Sequence, residues 1–171
     1  MKKRIIILAI FGLASIIDVQ AQVSKLKVKD TFDIQEFTTM SGEKISLESI
    51  ENKVFVMNFW SEGCRGCEIE RPYLNEILHD YEGKEVVFWS ITLNEKDEIK
   101  SFLKDHPIDW EIKGGVDFMG LTGDQTFLIK AMPMTIVVNR KRKVLLSHTG
   151  AILEGETGDA FTRLLDEALA Q

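Results

Sequence analysis

The residues Val54-Phe55-Val56-Met57-Asn58-Phe59-Trp60 form a nearly unbroken apolar run. A strand with one wet face alternates apolar and polar side chains, so such a run predicts a strand covered on both faces. Cys64-Arg65-Gly66-Cys67 follows at once. Beyond it Ile69, Tyr73, Leu74, Ile77, Leu78 and Tyr81 recur at spacings of three and four. That periodicity predicts a helix over roughly 64–81, ended by Gly83. A doubly covered strand running straight into a helix confines the chain to α/β architectures, in which helices cover the sheet.

The remaining segments agree with that class. Two short strands are predicted over 37–47 about Ser41-Gly42, and a second buried strand within 85–93. A helix over 96–104 puts Ile99, Phe102 and Leu103 inward and stops before Pro107. Residues 109–121 read as loop and 124–130 as a short helix. Thr135–Val138 and Val144–Leu146 read as a hairpin through 139–143, and 156–170 as an amphipathic helix with Phe161, Leu164, Leu165 and Ala168 on its inner face. A strand–helix–strand unit crosses over right-handed, and the late hairpin adds antiparallel strands. The expected fold is a mixed central sheet with helices on both faces and an N-terminal β-hairpin extension. The cysteine pair then lies at the carboxyl end of a central strand, where such sheets place their sites.

Cys64 and Cys67 are the only cysteines among 171 residues. Closing so short a loop stabilises a fold very little, so the pair reads as a working redox couple rather than a staple. The start of a helix presents free N–H groups and the positive end of the macrodipole, and both favour thiolate. Cys64 is therefore the candidate nucleophile. Glu70, three residues after Cys67, falls on the same helix face; a carboxylate buried beside a thiol has a raised pKa and can accept its proton. His79, His106 and His148 have no ligand spacing to the cysteines, so no metal site is expected. No phosphate-binding glycine loop or nucleotide fingerprint is present, so no cofactor is expected either. Arg140-Lys141-Arg142-Lys143 reads as a solvated turn.

The first 21 residues have the layout of a secretory signal: Lys2-Lys3-Arg4, an apolar stretch from Ile5 to Ile17, then Val19-Gln20-Ala21 as the cleavage region. The expected organisation is a signal over 1–21, a linker over 22–30 and one domain over 31–171, placed in the periplasm. Removing the signal takes away three basic residues and Asp18, so the net charge moves from −6 to −8. Such an acidic domain suits neither nucleic acid nor an anionic membrane. Export also provides a compartment that permits disulfides.

The chain resembles the thioredoxin fold and, within it, the exported TlpA/ResA-like thiol-disulfide oxidoreductases. The resemblance rests on the Ser41-Gly42-Glu43 turn, Asn58-Phe59-Trp60 before Cys64-Arg65-Gly66-Cys67, Glu70-Arg71-Pro72, and Met132-Pro133-Met134-Thr135. It implies Cys64 as nucleophile, Cys67 as resolving cysteine with a reversible Cys64–Cys67 disulfide, Glu70 as the acidic residue beside them, and Pro133 as a cis-proline facing the dithiol. Met132, Pro133 and Trp60 are the candidate substrate contacts, Trp60 also packing near the dithiol. Gly63 and Gly66 depart from the tryptophan and proline that many relatives carry there. The implied partners are substrate proteins bearing disulfides and an upstream dithiol reductant. Two other functions share the fold. A thiol peroxidase needs Ser or Thr three residues before its cysteine, which Ser61 satisfies, and a proline upstream, where Met57 stands. A Cu(I) carrier suits thiolate and thioether ligands but typically has three residues between its cysteines.

Overall fold

The computed structural model describes residues 26–121 and 128–171. The signal expected over 1–21 lies outside them, as does most of the helix expected over 124–130. Of that helix, residues 128–130 are described and are not helical: the Ile129 N–H donates to the Phe118 carbonyl.

The apolar run forms β3 (Val54–Trp60), buried at every position. It pairs in parallel with β4 (Val86–Thr92), from Val54 opposite Val86 to Trp60 opposite Thr92. On its other side it pairs antiparallel with β6 (Met134–Val138), which forms the expected hairpin with β7 (Val144–Thr149). A three-residue β5 (Glu111–Lys113) adds to β4 in parallel, giving the sheet order β5-β4-β3-β6-β7. β5 lies in the stretch read as loop; three residues beside Gly114-Gly115 are too short to show a period.

Alternation along β3 splits the core in two. Val54 and Val56 meet Leu74 and Ile77 of α1 (Arg65–His79) and Phe161 and Leu165 of α3 (Glu156–Leu169). Phe55, Met57 and Phe59 face Phe32, Ile34, Phe37, Leu47 and Ile50. These come from the N-terminal segment, the hairpin of β1 (Glu36–Thr38) with β2 (Lys44–Ser46), and the 3-10 turn Glu48–Ile50. The crossovers β3–α1–β4 and β4–α2–β5 advance in the same direction along the sheet. The right-handed rule therefore sets α2 (Lys96–Phe102) on the face of α1. The stack of Phe102 on Trp60 agrees.

Three local expectations change. Residues 26–30, expected as linker, are tied to β7: Lys29 N–H donates to Val144 O, Val144 N–H to Asp30 O, and Ser147 Oγ to Leu26 O. The basic turn is not wholly solvated. Arg142 turns its guanidinium onto the carbonyls of Phe32 and Ile34 and over the Phe32 ring. Finally, Ile69 is 51% exposed, and the inner stripe of α1 begins instead with Cys67, Glu70 and Arg71 before reaching Leu74.

Candidate active site: a dithiol beside a buried carboxyl group

The loop leaving β3 turns through Gly63, whose φ of +77° is strained for any residue with a Cβ. Asn94, just after β4, holds this loop by accepting the Glu62 N–H. Cys64 then caps α1, and its sulfur accepts the Cys67 N–H at 3.3 Å. The two cysteines are joined as a disulfide, with Cα atoms 5.3 Å apart. Cys64 is partly exposed, whereas Cys67 is 2% exposed.

The Met132–Pro133 peptide bond is cis. Pro133 packs so tightly on the first turn of α1 that a Cβ at Gly66 would stand 2.8 Å from its Cδ. A side chain at Gly66 would therefore force the Pro133 ring to shift. Gly150 brings the chain after β7 alongside, donating its N–H to the Pro133 carbonyl at 2.9 Å with φ +114°.

Behind the disulfide, Cys67, Asn58, Glu70 and Arg71 line one crevice too narrow for a water molecule. Glu70 is 1% exposed. Its Oε1 accepts from Asn58 Nδ2 at 2.8 Å and its Oε2 from the Ile152 N–H at 3.0 Å. Asn58 also donates to Thr135 Oγ1, its register neighbour on β6. Burial raises the Glu70 pKa to about 7; the two hydrogen bonds and the Arg71 charge pull it down but do not prevail.

Of the candidate residues, Cys64, Cys67, Glu70 and Pro133 come together here, with Met132 half-buried beside them. Trp60 does not present a surface to a substrate. It is 1% exposed, stacked on Phe102 with Arg71 over its ring, so it serves as the wall of the crevice. Three participants escaped the sequence reading. Thr135 and the Ile152 N–H reach the carboxyl only through the sheet and the loop after β7. Arg71 stands one residue after Glu70, and its i+4 spacing from Cys67 could have flagged it.

The AhpC/TSA family profile matches residues 19–146. The chain belongs to the AhpC/TSA family. Among curated proteins it is 29% identical over 117 residues to the thiol-disulfide oxidoreductase ResA of Bacillus thuringiensis subsp. konkukian, covering 66% of this chain and 64% of ResA. It is 28% identical over 121 residues to the thioredoxin-like protein YneN of Bacillus subtilis, covering 69% of each. The chain therefore spans a little under two thirds of the length of the ResA relative. The thioredoxin domain of a thiol-disulfide oxidoreductase from Bacteroides vulgatus superposes with a TM-score of 0.65 at 16% identity, covering 84% of this chain and 99% of that one. Bacillus subtilis StoA superposes with a TM-score of 0.55 at 18% identity, over 75% of this chain and 93% of StoA. The family member has the thioredoxin-like fold expected from its sequence.

Proposed function

We propose that this AhpC/TSA family member is an exported thiol-disulfide oxidoreductase that reduces disulfides of envelope proteins. One observation carries the reading: a partly exposed Cys64 at a helix N-cap is joined to a buried Cys67 that lines the same crevice as a carboxyl group poised near neutral pH. In the reduced protein the Cys64 thiolate attacks a substrate disulfide. A Cys64–substrate bond forms, and the substrate's other sulfur leaves as thiolate. Glu70 takes the Cys67 proton. The Cys67 thiolate then attacks Cys64 Sγ, closing the Cys64–Cys67 bond and releasing the second substrate sulfur as thiolate. Two electrons pass to the substrate, and an upstream dithiol protein restores the protein's own dithiol. The backbone of Met132, before cis-Pro133, is the edge on which an extended substrate segment pairs.

The test is trapping. A Cys67→Ala variant expressed with its full leader is expected to hold envelope proteins as mixed disulfides through Cys64. Recovery of no such adducts, alongside a wild-type dithiol that does not cycle between dithiothreitol and oxidised glutathione, refutes exchange. N-terminal sequencing of the mature protein is expected to begin at Gln22; retention of residues 1–21 in a cytoplasmic fraction refutes export. Peroxide consumption with dithiothreitol as reductant is expected at background, because Met57 stands where the peroxidase pattern needs proline.

A further inference from the structure

Arg71 is 5% exposed, an unusual place for a guanidinium. Its contacts are aromatic: the Cζ atom lies 4.7 Å from the centre of the Phe102 ring and 5.6 Å from that of Trp60. Among the described residues it takes part in no salt bridge. The neighbouring Glu70 attracts it through space but makes no salt bridge with it; both carboxyl oxygens turn to Asn58 and the Ile152 N–H. The ring faces and the Glu68 and Glu70 charges offset part of the cost of burying a cation. The cation also stands one helical turn from Cys67, lining the same water-free crevice.

We propose that Arg71 is an electrostatic positioning residue of the dithiol site, a cation held by ring faces without a salt bridge and lining the crevice of Cys67 and Glu70, where it stabilises the negative charge that reduction and ionisation leave on Cys67. The inference rests on the exchange reading above. Two carboxylates already act on Arg71, Glu68 more strongly than Glu70, and the remaining groups around the crevice add no further carboxylate. From α1 come Glu68 and Glu70, from β3 the neutral Asn58, and from α2 the Phe102 ring with His106 stacked on it. The segment after α2 contributes Ile108 and Trp110, and the loop after β7 the Ile152 N–H. Opening the disulfide frees the Cys67 thiol there. Loss of the thiol proton adds a negative charge one helical turn from the guanidinium, where a low dielectric strengthens the attraction. The ring contacts hold the cation in place in both states.

Thiolate absorbance is titrated for the reduced wild type, Arg71→Met and Arg71→Lys. Methionine keeps the length and removes the charge. Its midpoint is expected about one pH unit higher, a roughly tenfold fall in the ratio of thiolate to thiol at a given pH, while lysine stays near wild type. A folded Arg71→Met protein with the wild-type midpoint overturns the proposal, as does a lysine variant as impaired as the methionine one. A second measurement needs no substitution. The Arg71 side-chain nitrogen resonance of the wild type is expected to shift on reduction and to follow the thiolate titration. A resonance indifferent to redox state overturns the proposal even if Arg71→Met does not fold. If the wild-type dithiol fails to cycle at all, it is the exchange reading that fails; cycling with normal Arg71 variants removes only this inference.

Discussion

Replacing Glu70 with glutamine removes an ionisation that burial penalises. In the folded protein the carboxyl group titrates at about 7 against an ordinary 4.5, because its surroundings are dry. Raised affinity for a proton means that folding favours the neutral acid. The stabilisation is complete below pH 4.5 and is lost as pH rises through 7. At about 1.4 kcal/mol per pH unit, that displacement corresponds to roughly 3 kcal/mol between acid and mildly alkaline solution. Glutamine cannot ionise. Its oxygen can accept the Ile152 N–H and its amide can donate to Asn58 once the Asn58 amide turns over, at a cost of about 1 kcal/mol or less. Urea unfolding of the oxidised wild type and Glu70→Gln, measured from pH 4.5 to 8.5, isolates the effect, since other titrating groups cancel in the difference. Wild type is expected to lose about 3 kcal/mol relative to the variant across that range, leaving Glu70→Gln the more stable protein at pH 8. A difference that stays flat with pH refutes the assignment of a raised pKa. The same variant, reduced, is expected to exchange about 100-fold more slowly at pH 7, for want of an acceptor for the Cys67 proton.

Three further substitutions probe the framework. Gly66→Ala places a Cβ 2.8 Å from Pro133 Cδ, so the ring must retreat; a loss of about 1–3 kcal/mol in urea unfolding and slower exchange are expected. Gly158→Ala would put a Cβ 2.1 Å from the Tyr73 hydroxyl oxygen. It is expected to destabilise the wild type yet to stabilise a Tyr73→Ser background by up to about 1 kcal/mol, since alanine is the better helix former. Arg142→Gly suits the φ of +61° at that position while deleting the bonds to Phe32 and Ile34. A loss of about 2 kcal/mol is expected, with earlier proteolysis near residues 26–34.

Much of this protein is legible in its sequence wherever the physics is local. The apolar run of β3, the hairpin signals and the helical period after Cys67 each state a backbone preference within a few residues, and the structure follows them. The cysteine pair at the end of a buried strand likewise marks the site without help from the rest of the chain. Local pattern fails where a distant surface chooses between neighbours. Period alone put Ile69 on the inner face of α1, but β3 offers Asn58 and Trp60 there, and they meet Glu70 and Arg71 instead. Asn58, Thr135, Glu70 and the Ile152 N–H form one network only because the sheet sets β6 beside β3 and the loop after β7 closes over α1. The sequence by itself therefore determined the strand, the helix and the dithiol between them. Tertiary packing decided which charged groups are shut in with that dithiol, because burial, and hence the raised pKa of Glu70 and the desolvation of Arg71, exists only once elements far apart in the chain have excluded water together.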